Sequence, residues 1–283
     1  MGERIRRLIA WFLRTFATLL ERLASVGLIY SGVVLAAQTL MALLPLLIVV
    51  ISLLPTWAGT SLAQTLRAKL GVTGETDAAV GNLIASRSQL QGISIVSVLV
   101  VIASATSFTR ALQRVYELSW GLPRLGVRGS LRGLVWLIAV STYFGVLGLA
   151  LHYSQGGVTA GALKVTLTVV GAVGLWWWTP YVLLMGRVRL RSLLPCGVLT
   201  GVAVLVLGRV AVIVVPRTVR SNEQRFGTIG VVFAVQSWLV VLSCTIVLAA
   251  VIGAVAAQTS GPLGALARGS TDPDGWRRTR SRY

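Results

Sequence analysis

The sequence predicts an all-α, polytopic membrane protein with six transmembrane helices, an interfacial N-terminal amphipathic helix and short helices on the outer face. Of its 283 residues, 55% are hydrophobic and 12% charged, and mean hydropathy is +0.81. A soluble domain carries about 25% charged residues. Several apolar runs reach the ~18–20 residues needed to cross the hydrocarbon core of a bilayer. Together these observations exclude a water-soluble globular domain.

The N-terminal segment 1–24 is predicted to be an amphipathic helix that does not span. Between residues 3 and 23 the apolar side chains recur at helical spacing, whereas five charged residues occupy the opposite face. So many charges disfavour insertion. We expect this helix to lie in the membrane interface with its basic side towards the headgroups.

A membrane domain is predicted over residues 25–256. A proline at position 45 predicts a kink in the first span. Two short helices are expected to cover the outer face within 56–90, and the tail 257–283 is expected to be disordered, basic and cytoplasmic. The predicted spans are 28–54, 91–109, 131–152, 163–185, 193–215 and 228–256.

Loop charge predicts a plasma-membrane protein with both termini in the cytoplasm. With that orientation, 18 of the 26 basic residues fall on the inner side, seven on the outer side, and Arg209 lies inside the fifth span. Basic residues favour the cytoplasmic side of membrane spans. The net charge of +18 therefore reflects topology and attraction to anionic lipid headgroups, and no nucleic-acid partner is expected.

Three stretches carry a family resemblance. They are "LAAQTLMALLPLLIVV" (35–50), "SFTRALQRVYELSWGLPR" (107–124) and "RFGTIGVVFAVQSWLVVLSCTIVLAAVIGA" (225–254). The chain resembles the YihY/BrkB-like integral membrane proteins, once labelled ribonuclease BN, over roughly residues 25–256. The chain departs from the family pattern at 39–41, where aromatic residues are frequent, and at Phe226, where tyrosine usually precedes the glycine. The resemblance implies a membrane architecture and points to transport or envelope maintenance.

The residues themselves argue against an enzyme. No acidic residue falls inside a predicted span, the chain has one histidine (His152), and no zinc-ligand spacing is found. Cys196 and Cys244 lie in apolar runs and read as small buried residues. No catalytic residue, metal or cofactor is therefore expected, and a membrane-bound ribonuclease is the least favoured function.

The candidate functional residues are polar or aromatic side chains in or next to the spans. Arg209 either reaches the outer interface or faces inward. In the second case its partner would be a neutral acceptor such as Gln38 or Gln236, a backbone carbonyl at a kink, Glu223 of the outer loop, or a bound anion. Trp177 is either packing bulk or a cavity wall. Arg110 and Arg114 lie on one helix side, where they form either a solvated face or an anion or headgroup site; Arg114 is also spaced to pair with Glu117.

These features favour a transporter or flippase-like protein for an amphipathic or anionic solute, which includes lipid. The alternative is a non-transporting membrane scaffold or envelope-interaction protein. Oligomeric state, substrate, energy source and direction do not follow from the sequence.

Overall fold

The computed structural model describes residues 2–53, 95–126, 130–153, 158–259 and 264–265, and each regular element among them is a helix. The predicted outer helices within 56–90 and residues 266–283 of the tail lie outside the described residues. The helices are α1 (Gly2–Val26), α2 (Leu28–Leu53), α3 (Ile95–Ser119), α4 (Ser130–Tyr153), α5 (Val158–Leu183) and α6 (Leu194–Gln258), with a 3₁₀ turn at Leu190–Leu193.

The predicted N-terminal helix is confirmed, and a sharp bend separates it from the first span. The axes of Thr15–Val26 and Leu28–Leu43 differ by 47°. Gly27 makes the break possible because its φ is +62°, a left-handed conformation that costs glycine little. Leu13, Phe16 and Leu20 remain exposed on α1. The interfacial position of α1 remains a prediction, as does the kink at Pro45.

The third helix, α3, ends ten residues beyond the predicted second span. Its extension is the stretch 110–119, whose apolar side is buried through Leu112, Val115 and Tyr116. The helix stops at Gly121, whose φ is +61°. There the Leu122 N–H donates to the Glu117 carbonyl at 2.8 Å and the Gly121 N–H donates to the Leu118 carbonyl at 3.1 Å.

Helices α4 and α5 form an antiparallel pair. Near one end, Trp136 Nε1 donates to Thr179 Oγ1 at 3.0 Å. Further along, the Tyr143 side chain lies so close to Gly171 that a Cβ there would collide with it. α5 begins five residues before the predicted fourth span and ends two residues before its predicted end.

The predicted loop between the fifth and sixth spans is wrong. The helix continues through Pro216 to Phe226, and its only non-helical residue is Gly227, with φ 60° and ψ −146°. Pro216 removes one backbone hydrogen bond from this helix without ending it. Gly227 divides α6 into α6a (194–226) and α6b (228–258).

The chain divides into two compact units. The first contains Met1–Gly32, Thr109–Leu205 and Cys244–Tyr283, and the second contains Val33–Phe108 and Val206–Ser243. In the second unit the chain reverses direction at Gly227, because residues before it pack on residues after it. This cluster consists of Val215, Val219, Val231 and Ala234, flanked by Ala211, Val235 and Trp238.

Within the described residues, two helical stretches are long and apolar enough to cross a membrane, Val165–Leu183 and Leu190–Gln258. The bent pair Thr15–Val26 and Leu28–Leu43 would be a third. The second stretch contains both the fifth and the sixth predicted spans. A membrane protein with apolar helices is therefore supported, whereas the count of six spans remains a prediction.

Candidate functional site

A buried ion pair joins α3 to the segment after α5 in the first unit. Arg187 Nη2 lies 2.9 Å from Glu117 Oε1, and the two side chains are 14% and 6% exposed. Gln113 Nε2 and the Leu125 N–H also donate to Glu117 Oε1, at 2.9 and 3.1 Å. Burying an ion pair requires such additional hydrogen bonds, because desolvation otherwise cancels the attraction.

Arg187 uses the rest of its guanidinium to hold backbone carbonyls. Its Nη1 donates to the Pro123 carbonyl at 2.7 Å and its Nε donates to the Leu184 carbonyl at 3.2 Å. Three chain segments therefore converge on one side chain: the end of α3, the turn that follows it, and the end of α5. We call these contacts the Glu117–Arg187 lock.

Glu117 forms its ion pair with Arg187 and not with Arg114, although the spacing in the sequence allowed a pair with Arg114. Arg114 is exposed, as is Arg110, whereas Gln113 and Glu117 are buried. Helical spacing places all four residues on one side of α3. Packing buries two of them and leaves the two arginines exposed. Sequence spacing missed Arg187 because it lies 70 residues from its partner.

Next to the lock, the phenol of Tyr116 is fully buried. Burial raises the pKa of Tyr116 well above its ordinary value, and Cys196 nearby contributes further. Tyr116 is therefore a neutral hydrogen-bond donor at physiological pH. Its hydroxyl has no hydrogen-bond partner among the described residues. Cys196 is buried, as predicted, and Cys244 is partly buried.

In the second unit, a polar contact joins α2 and α3. Ser107 Oγ donates to Gln38 Oε1, and both residues are partly buried. By contrast, Thr39 and Ser237 each bond to a carbonyl of their own helix, four residues earlier. Gln38 thus makes a side-chain contact between two helices.

Gln236 on α6b differs from these residues. Its Oε1 is buried and has no hydrogen-bond partner among the described residues. A buried amide carbonyl without a donor costs about 1–3 kcal/mol, and such atoms are rare in folded proteins.

Arg209 on α6a is exposed, and so are Val206, Val210 and Ile213 around it. Whether it reaches the outer interface or faces a bound anion stays a prediction.

Trp177 has a packing role in the first unit. Its Nε1 donates to the Leu190 carbonyl at 2.8 Å. Gly197 of α6a approaches so closely that a Cβ there would collide with the Trp177 backbone. Glycine at this position lets α5 and α6a pack backbone to backbone.

Among the described residues, no group of three or more His, Cys, Asp or Glu side chains is arranged to hold a metal ion.

Comparison with known proteins identifies one family. The family model described as "Virulence factor BrkB" matches residues 19–272, which is most of the chain. Neither a curated protein nor a solved structure matches significantly.

Proposed function

The chain belongs to the BrkB family of membrane proteins, and on that premise we propose that it is a transporter or flippase-like protein for an amphipathic or anionic solute, which includes lipid. The observation that carries the proposal is the buried, unpartnered Oε1 of Gln236. A donor group on a bound solute or lipid would satisfy this oxygen. Lipid headgroups and polar solutes supply such donors through their hydroxyl or amine groups.

Two further features support transport of an amphipathic molecule. The Gln38–Ser107 contact adds a second partly buried amide to the same unit. Arg209 presents a cation to the outer surface of α6a, where an anionic headgroup sharing the bilayer can reach it. The excess of basic residues on one side of the predicted spans favours a plasma-membrane orientation with both termini in the cytoplasm.

The test is a transport assay with pure protein in liposomes. Movement of fluorescent phospholipid between leaflets, and uptake of an amphipathic anion, should both be measured for wild type and for Gln236→Leu. The substitution removes the amide while keeping a side chain of similar length, so it should lower transport about tenfold, the loss associated with one hydrogen bond in a site.

Ser237→Ala is the matched control. Ser237 is the adjacent residue, is exposed, and donates its hydroxyl hydrogen bond to the Phe233 carbonyl of its own helix. It should retain wild-type transport. Absence of transport in the wild-type protein, or equal transport in Gln236→Leu, would refute the proposal.

A second candidate function, a membrane scaffold or envelope-interaction protein, is favoured by the hairpin at Gly227. Phe226, Ile229 and Phe233 are 65%, 67% and 65% exposed around this turn. If residues 194–216 cross the hydrocarbon, the ten residues 217–226 carry the turn about 15 Å beyond it. Large apolar side chains in that position suit a protein partner. Stoichiometric co-purification of a partner, lost in Phe226→Ser/Phe233→Ser, would support this function over transport.

A further inference from the structure

Several exposed arginines lie close in the chain to the residues of the Glu117–Arg187 lock. We propose that Arg114, Arg124, Arg189 and Arg191 bind the phosphate of an anionic phospholipid headgroup at one membrane surface. We call these four residues the arginine patch. The proposal is independent of whether the protein transports.

The position of the patch relative to the membrane follows from the two candidate spans. One span ends at Leu183 and the next begins at Leu190. The connection between them is too short to leave the surface of the bilayer, because six residues extend at most about 20 Å. Arg189 and Arg191 therefore lie at headgroup level.

The lock brings the other two arginines to the same place. Arg187, within that connection, bonds directly to Glu117 and to the Pro123 carbonyl. Arg114 lies one helical turn before Glu117, and Arg124 directly follows Pro123. Three separate segments thus each contribute an exposed arginine within a few residues of the same ion pair.

The charge of the patch is not cancelled by the acid at its centre. The Glu117 carboxylate is buried and already accepts from Gln113, Leu125 and Arg187. The four patch guanidiniums are exposed. A guanidinium matches a phosphate through two parallel N–H groups, and several of them around one phosphate give a strong site.

Exposed apolar side chains beside the patch select a lipid over free phosphate. Leu190 and Leu194, which flank Arg191, are 36% and 39% exposed. They lie at the start of an apolar span, where an acyl chain runs alongside the protein. A headgroup held by arginines above an apolar helix surface is the arrangement that a phospholipid requires.

The experiment uses the full chain in detergent, with phosphatidylglycerol as the probe and phosphatidylcholine as the reference lipid. Retained lipid is counted by native mass spectrometry over a lipid titration. Wild type should prefer phosphatidylglycerol, and Arg114→Gln/Arg189→Gln should weaken its binding by about tenfold or more, as expected for two cations near an anionic group. Binding of phosphatidylcholine should not change.

Arg217→Gln/Arg225→Gln is the matched control, because it removes two exposed arginines from α6a outside the patch. It should keep phosphatidylglycerol affinity within about twofold of wild type. An equal loss in both double variants, or no preference of the wild type for the anionic lipid, would overturn the proposal. Full competition by inorganic phosphate would assign the patch to a free anion and would also overturn it.

A second pair of measurements keeps the proposal testable if the glutamine variant does not fold. Arg114→Lys/Arg189→Lys retains both charges but not the two-pronged geometry, so binding should fall to an intermediate level. Raising the ionic strength should weaken phosphatidylglycerol binding to the wild type. Salt-independent binding that the lysine variant leaves unchanged would refute a guanidinium–phosphate site.

Discussion

Replacing Arg187 by glutamine should lower the free energy of unfolding by about 3 kcal/mol. Removing one partner of a buried ion pair costs about 3–5 kcal/mol, because the other charge remains buried without compensation. The lower end applies here, since Glu117 keeps its hydrogen bonds from Gln113 and Leu125, and Arg187 is 14% exposed.

The assay is denaturation in mixed detergent micelles, followed by tryptophan fluorescence. Arg187→Gln, Glu117→Gln and the double variant form a thermodynamic cycle. The double variant should be more stable than the sum of the single effects predicts, by about 1–3 kcal/mol.

Arg114→Gln is the control that distinguishes the observed pair from the one that sequence spacing suggested. Arg114 is exposed, so the same substitution there should change stability by less than about 0.5 kcal/mol. If Arg114→Gln destabilises as much as Arg187→Gln, or if the cycle shows strict additivity, the reasoning about the lock is refuted.

Three further predictions concern helix packing and the outer surface. Gly253→Ala should destabilise by about 1–3 kcal/mol in the same denaturation assay, because its Cβ would collide with the Cys196 backbone, whereas Gly208→Ala, with open space around it, should not destabilise. Ser107→Ala should cost about 1 kcal/mol by removing the donor to Gln38, and a neutral result would show that this contact contributes nothing. Arg209→Ala should impair transport more than stability, since the side chain is exposed; unchanged transport would exclude Arg209 from the site.

Local physical chemistry explains why several elements were predictable. The amphipathic spacing of residues 3–23 and the long apolar runs specify helices wherever the chain folds, because apolar periodicity and the missing charges act within one segment. The helices α1, α2, α4 and α5 accordingly begin and end within a few residues of their predicted bounds. The BrkB family match supports the resemblance carried by three motifs.

The predicted loop between the fifth and sixth spans was wrong because the local sequence there is compatible with both a loop and a helix. The polar stretch 217–226 has the composition of a loop, but packing of Val219 on Val231 keeps it helical until Gly227. The sequence placed Gly227 directly before the sixth span, but it did not show that the helix before Gly227 extends ten residues past Pro216. A glycine becomes a turn only where the packing on both sides demands a left-handed residue.

The sequence by itself determined that this protein is a membrane protein built of helices, because composition and periodicity set the cost of exposing each segment to water or lipid. Tertiary structure alone decided which charges are paired and which face outward. Glu117 is bonded to Arg187 and not to Arg114, Arg209 is exposed, and Gln236 buries an amide oxygen that has no donor among the described residues. These outcomes depend on contacts between segments that are far apart in the chain. The helical period predicts which face of a helix a residue occupies, but not which segment packs against that face.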